Sequence, residues 1–211
     1  MNSPGDLMAA DKKILIIGPS WVGDMVMAQS LFILLKQQYP DGVIDVLAPA
    51  WSRPIIVRMP EVRRAIDMPV GHGSLMWSAR RLVGRALREE GYDQAIILPN
   101  SLKSALIPWF ASIPQRTGWK GEMRYGLLND LRVLDKRRYP RMVQRFDALA
   151  FPAGAALPEK LSAPNLQTDL ERTSGLRQQF GLNSARKILA LCPGAEFGPA
   201  KQWPEQYYAA V

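Results

Sequence analysis

The chain has 211 residues, 47% hydrophobic and 22% charged, with a net charge of +8 and one cysteine. This composition excludes a disordered tail, a collagen-like repeat, a membrane-embedded bundle and a disulfide framework, and sets the size at one large domain or two small ones. The surplus of lysine and arginine calls for an acidic partner: phosphate esters, nucleic acid or an anionic membrane surface.

Residues 1–11 carry Asp6 and Asp11 and no apolar run, so they read as a loose leader and not as a secretory signal. Ile14 to Ile17 is a short continuous apolar run, the pattern of a strand buried on both faces. A turn with Gly18, Pro19 and Gly23 follows. Met27, Leu31, Leu34 and Leu35 then mark one face of a helix ended by Pro40 and Gly42. Val43 to Leu47 predicts a second strand, Arg53 to Arg58 a short helix, and Ala65 to Met68 a third strand. Residues 74–90 predict an arginine-rich amphipathic helix capped by Gly91. Gln94 to Leu98 is a fourth strand. A helix capped by Asn100 or Ser101 runs from it to about Ala111. Strands alternating with helices mean βαβ crossovers and a doubly wound parallel sheet, an α/β fold.

The rhythm breaks at residues 114–140, which read as a structured loop region. A helix over 141–150 and a linker marked by Pro152, Pro158 and Pro164 follow. Residues 169–181 predict a helix, Lys187 to Cys192 a new buried strand, and Pro204 opens a last helix. The stretch 169–211 therefore reads as the opening unit of a second α/β domain. Cys192 is expected to be a small core residue rather than a nucleophile. His72 is the sole histidine, which leaves no His/Cys zinc site within the chain.

Four stretches could carry chemistry. Gly18-Pro-Ser-Trp-Val-Gly23-Asp24-Met25 lies where a doubly wound sheet places its ligand. A P-loop needs Lys and Ser/Thr after its second glycine. Asp24 and Met25 stand there, and a carboxylate repels phosphate. Asp24 fits either a helix cap or a carboxylate that serves as base or electrostatic anchor. Asn100-Ser-Leu-Lys103-Ser sets a cation near a helix N-terminus, suited to an anion or simply solvated. Arg116-Thr-Gly-Trp119-Lys120-Gly-Glu-Met-Arg124-Tyr125-Gly alternates cations with aromatic rings, as a phosphorylated sugar would require, or as an ordinary basic loop carries them. Pro193-Gly-Ala-Glu196-Phe197-Gly-Pro-Ala-Lys201 again joins a strand to a helix, with Lys201 placed to meet a phosphate.

The runs GPSWVGDMVMAQSL, NSLKSALIPW, RTGWKGEMRYGLLNDLRVLD and LCPGAEFGPAKQWPEQYY together resemble the lipopolysaccharide heptosyltransferases of glycosyltransferase family 9, in particular the branch that adds the second heptose. The resemblance extends from Lys13 to Val211. It implies a GT-B fold, with an acceptor-side Rossmann-like domain over 12–165 and the truncated start of an ADP-heptose-binding domain over 166–211. It implies inverting transfer of heptose from ADP-L-glycero-β-D-manno-heptose to the first heptose of the inner core, with no obligatory metal and no other cofactor. Asp24 then corresponds to the catalytic aspartate and Lys201 to the lysine on the donor diphosphate. Glu196 and Phe197 occupy donor-loop positions, and Arg124 matches an acceptor-side arginine. Lys103, Arg116 and Lys120 are assigned to the acceptor by their charge. The implied partners are ADP-heptose, the acidic lipid A–Kdo–heptose acceptor and an anionic inner-membrane surface, with no nucleic acid. The implied location is cytoplasmic, peripheral to that membrane. A chain ending at Val211 lacks the family's adenine- and ribose-binding positions and is expected to be inactive alone. The alternatives are another GT-B transferase with a different nucleotide-sugar and a non-enzymatic basic module that binds nucleic acid.

Overall fold

The computed structural model describes residues 12–69, 75–182, 187–195 and 199–211. They fall into two compact units, Met1–Gln167 and Thr168–Val211. The first unit is built on six parallel strands: β1 Lys13–Ile17, β2 Val43–Ala48, β3 Arg64–Asp67, β4 Gln94–Ile97, β5 Gln115–Trp119 and β6 Asp130–Arg132. Their order in the sheet is β3-β2-β1-β4-β5-β6. The chain winds outward from β1 in one direction, then returns and winds in the other. The reversal opens a crevice at the carboxyl ends of β1 and β4.

The apolar runs are runs because both faces of the sheet are covered. Ile14 and Ile16 face one core with Ile44, Val46 and Ile96, beneath Met25, Ala28, Leu31, Phe32 and Leu35 of α1 (Val22–Gln38) and Phe146 of α5 (Met142–Asp147). Leu15 and Ile17 face the other, with Ile97, beneath Leu87 of α3 (Trp77–Arg88) and Ala105 and Ile107 of α4 (Leu102–Phe110). Each Leu, Ile, Val, Met or Phe side chain so withdrawn from water contributes about 1.5–3 kcal/mol. Helix α2 (Arg53–Ile56) is a single turn whose Ile56 joins the first core. Gly84 lets α3 and α4 meet: a Cβ there would lie 2.8 Å from the Ile107 carbonyl oxygen. Gly91, at φ +64°, turns the chain after α3 as expected.

The structure corrects the reading of residues 114–140. They contain β5 and β6, which complete the sheet. Periodicity missed β5 because it has no apolar run and buries a polar group that its neighbours satisfy: Gln94 donates to Thr117 Oγ1 at 2.9 Å, and Thr117 donates to Asp130 at 2.9 Å. The segment after Pro152 is docked rather than free. The buried Gln29 amide donates to the Asn165 carbonyl at 3.0 Å and accepts from its N–H at 2.9 Å. Leu157 and Leu166 pack against the first core.

In the second unit, α6 (Leu170–Gln179) is capped by Asp169, which accepts from the Arg172 N–H at 2.9 Å. A short α7 spans Glu205–Ala209. The strand expected at Lys187 to Cys192 does not form. A strand needs a paired neighbour for its backbone groups, and no other strand is described in this unit. Ile188, Leu189 and Leu191 are exposed, and Cys192 is exposed rather than a core residue. Among the described residues, no helix is long and apolar enough to cross a membrane.

Two carboxylates show how burial is settled inside the first unit. Asp45 is fully buried near the amino edge of the sheet. Burial pushes its acidity down, but hydrogen bonds from Arg63 at 2.5 Å and Tyr92 at 2.5 Å, with the charges of Arg63 and Arg64, more than offset this. Its pKa is held below the usual carboxylate range. Asp147, on α5, is equally hidden but has one partner, the Ser30 hydroxyl of α1 at 2.8 Å, and its Oδ1 has none. Burial pushes its pKa up to about 6, against a smaller downward pull from Ser30.

A raised pKa means that the folded state binds the proton more tightly than the unfolded chain. The stability this supplies is complete below about pH 4 and is lost as pH rises through about 6. Urea midpoints of the wild type and Asp147→Asn, compared from pH 4 to pH 7.5, should therefore diverge. The wild type should lose about 2–3 kcal/mol relative to the variant over that window, and parallel curves would contradict the assignment.

Candidate active site

The crevice at the carboxyl ends of β1, β2 and β4 gathers the turn after β1, the turn after β2 and the turn after β4. Gly18 allows the first turn to begin. Its N–H donates to the Leu47 carbonyl at 2.9 Å, and a Cβ there would press on Met25 and on the Ala48 Cβ at 3.1 Å. Trp51, in a 3-10 turn after β2, donates its indole N–H to the Ser20 carbonyl at 2.8 Å and pins the same turn from outside. A small cavity of about 70 Å³ lies between these parts, lined among others by Gly18, Ser20, Trp51, Arg80, Ser101 and Lys103.

Asp24 sits in the first turn of α1, half-buried. It does not cap the helix: the cap position is Trp21, with no side-chain bond to the helix. No described residue donates a hydrogen bond to the Asp24 carboxylate or pairs with it. A negative side chain in the first turn of a helix complements the helix dipole, and this one keeps its lone pairs for a ligand. Lys103 stands in the first turn of α4, half-buried, where the dipole disfavours a cation. Its ammonium has no partner among the described residues. Asp24 and Lys103 are thus opposite charges at one edge of one sheet, both left unsatisfied by the fold.

The loop after β5 does something the sequence reading did not anticipate. Arg124 is 1% exposed. Its guanidinium donates to the Pro99 carbonyl at 2.7 Å, to the Ser104 hydroxyl at 3.3 Å and to the Trp119 carbonyl. Burial lowers its pKa from the ordinary arginine value, partly offset by the charge of Glu122. Glu122 in turn accepts from the Leu102 N–H at 2.7 Å, supplying the α4 cap expected of Asn100 or Ser101. Gly121 packs against Asn100, where a Cβ would come within 2.8 Å of the Asn100 Cβ. The loop is a clamp on the β4–α4 turn that presents Lys103. Arg124 faces inward in it, not toward a ligand as expected.

Arg116 departs from expectation too. It lies at the amino end of β5, beside Ala95, and its guanidinium donates to the Leu127 carbonyl at 2.7 Å and the Ile113 carbonyl at 2.5 Å. Lys120 is exposed just past the carboxyl end of β5, its ammonium 5.6 Å from the centre of the Tyr125 ring. Lys201 is exposed in a 3-10 turn of the second unit. Glu196, Phe197 and His72 lie outside the described residues.

One crevice residue was missed. Arg80 is 3% exposed and donates to the Leu75 carbonyl at 2.8 Å and the Lys103 carbonyl at 3.2 Å. Burial lowers its pKa from the ordinary value. Its spacing from Gly84 and Leu87 places it on the inward face of α3, the signal that would have found it.

A mutational check on the clamp follows from Gly121. Gly121→Ala should cost about 1–3 kcal/mol by forcing the Asn100 turn outward. Gly23→Ala, which meets open space on α1, should change stability by less than about 1 kcal/mol. Chemical denaturation compares the two, and equal effects would contradict the clamp.

Comparison with known proteins places this geometry. The sequence profile of glycosyltransferase family 9 (heptosyltransferase) matches residues 80–211. The chain is 57% identical over 204 residues to lipopolysaccharide heptosyltransferase 2 of Escherichia coli K12, covering 94% of this chain and 59% of that protein. It is 58% identical, with the same coverage, to lipopolysaccharide heptosyltransferase 2 of Salmonella typhimurium LT2. The solved structure of E. coli ADP-heptose lps heptosyltransferase II superposes with a TM-score of 0.84 at 55% identity, over 94% of this chain and 59% of that one. The chain therefore spans about three-fifths of the length of the relatives it matches. By its profile match and by these identities, the chain belongs to glycosyltransferase family 9, the heptosyltransferases.

Proposed function

We propose that this chain is the acceptor-side part of a GT-B heptosyltransferase. The reaction moves heptose from ADP-L-glycero-β-D-manno-heptose to the first heptose of the lipopolysaccharide inner core, with inversion and without a metal. The observation that carries the reading is the unpartnered Asp24 carboxylate at the carboxyl edge of β1, in a chain whose relatives bear that enzyme's name.

Inverting transfer needs a base that takes the proton from the acceptor hydroxyl while its oxygen attacks the anomeric carbon from the face opposite the leaving ADP. Asp24 is that base. The proton goes to its carboxylate, the new glycosidic bond forms, and the bond from the anomeric carbon to the diphosphate breaks. The developing negative charge on the departing diphosphate needs a fixed cation, which Lys201 supplies, with Glu196 and Phe197 in the donor loop. Lys103 and Lys120, at the carboxyl edge of the first unit, meet the acidic groups of the acceptor. Arg124 serves them indirectly, by holding the turn from which Lys103 projects. Arg80 does the same through the Lys103 carbonyl.

The second unit supports a further part of the reading. Among its described residues none is buried, so those residues form no packed pocket for an adenine. Binding energy from remote parts of a donor is what positions its reacting carbon. The 211-residue chain alone should therefore transfer no heptose. A chimera carrying the remaining C-terminal part of the E. coli relative should be active. In that chimera, Asp24→Asn should lower transfer about 10²-fold or more with an unchanged unfolding midpoint. Turnover near that of the parent would remove Asp24 as base. Activity of the bare chain within about tenfold of the chimera would show that these 211 residues suffice.

A further inference from the structure

Trp51 is the one aromatic side chain among the described residues that line the crevice cavity, and it is 54% exposed. Its indole N–H is already engaged with the Ser20 carbonyl, at 2.8 Å. That bond holds the turn after β1, but holding a turn needs only a donor atom. It does not account for a large ring left half in water, where a tryptophan forfeits much of the gain that its apolar area offers.

The ring stands on a stiff support. Pro49 and Pro54 bracket the turn Ala50–Ser52, and each fixes a backbone dihedral. The Ser52 N–H donates to the Pro49 carbonyl at 2.9 Å. Arg53, next in the chain, donates twice to Asp67 of β3, at 2.9 and 2.8 Å. A surface fixed in this way loses little freedom when a ligand settles on it. The rest of the cavity lining is open to bonding. The hydroxyls of Ser20 and Ser101 have no hydrogen bond with any described residue, and neither has the Lys103 ammonium. No carboxylate is among the described lining residues. One aromatic ring with a few convergent polar groups is the make-up of a small-molecule site.

We propose that Trp51 is the sugar platform of the acceptor site. A pyranose of the acceptor stacks on the indole, Ser20 and Ser101 bond to its hydroxyls, and Lys103 meets the acidic group beside it. A pyranose is apolar where its axial C–H bonds project and polar around its rim. Those C–H bonds are the positive end of the contact, and the face of the indole is the negative side of its quadrupole. The Ser20 carbonyl that Trp51 holds lies four residues before Asp24, on the turn that leads into α1. A sugar on this ring is therefore fixed against the segment that carries the base. The inference rests on the crevice being the acceptor site, and names the residue that orients the sugar there.

The test is calorimetric titration of the 211-residue chain with a heptose-bearing inner-core oligosaccharide. Trp51→Phe keeps an aromatic ring and loses the N–H donor, whereas Trp51→Gln keeps a donor and loses the ring. Trp51→Phe should bind within about threefold of the wild type, and Trp51→Gln about tenfold or more weaker. Urea midpoints without ligand check that both variants are folded. Wild-type affinity in Trp51→Gln, or an equal loss in Trp51→Phe, would overturn the platform and leave Trp51 as a pin for the Ser20 turn. A second measurement uses the unsubstituted chain labelled with 5-fluorotryptophan, in which the fluorine resonance missing from Trp51→Phe identifies Trp51. That resonance should shift with the oligosaccharide and stay in place with ADP. A shift with ADP alone would mean that the ring stacks a nucleobase, and would overturn the proposal. A wild type that binds no oligosaccharide would remove the acceptor reading of the crevice and the platform with it. Normal binding with an unmoved Trp51 resonance would remove the platform alone.

Discussion

One buried guanidinium organises the carboxyl edge of the sheet. Arg124 reaches from the loop after β5 into the turn after β4, and binds the carbonyls of Pro99 and Trp119. A charge withdrawn from water is costly unless hydrogen bonds replace those it gives up. Here backbone carbonyls and the Ser104 hydroxyl replace most of them, while Nε keeps no partner. The same loop caps α4 through Glu122 and closes on Asn100 through Gly121. The position of Lys103 therefore depends on residues some twenty positions later in the chain. Without this clamp, the turn that lines the crevice would be a loose connection between β4 and α4.

The amino edge of the sheet closes its charges among themselves, whereas the crevice at the carboxyl edge keeps two of them open. Near the amino edge, Asp45, Arg63, Arg64, Glu90 and Tyr92 form a closed network, each with a partner. Such a network fixes strands β2, β3 and β4 relative to one another and has nothing left for a ligand. At the carboxyl edge Asp24 and Lys103 have no partners among the described residues. Lys103 also lines the small cavity there, so its charge is open to a ligand. At the crevice that the strand order marks, these two charges stay open, although Arg53 and Asp67 pair at the carboxyl end of β3.

The parts of this architecture that were legible from sequence share one physical cause. Strands β1, β2 and β4 are buried on both faces and so read as apolar runs, and α1 follows from the spacing of its leucines. Strands β5 and β6 were hidden because Thr117, Gln94 and Asp130 bury polar groups against one another, which hydropathy cannot anticipate. Ile188 to Leu191 misled for the opposite reason: they are apolar enough for a strand, but pairing depends on neighbours. The site shows the same division. The place of Asp24 in the first turn of α1 was legible because a strand-to-helix turn has a fixed place in a doubly wound sheet. The direction of Arg124 was not, because composition names a cation without saying where its side chain points. Gly121 and Glu122, next to it in sequence, were the available sign of a tight loop-to-loop contact.

The central claim is that the crevice between β1 and β4 receives the acceptor, with Asp24 at its reacting hydroxyl. A crystal structure of the chain bound to a heptose-bearing inner-core oligosaccharide tests this most directly. The account predicts one heptose hydroxyl within about 2.6–3.2 Å of the Asp24 carboxylate, with an acidic group of the oligosaccharide beside Lys103. An oligosaccharide seated elsewhere on the first unit, with Asp24 facing only solvent, would contradict it.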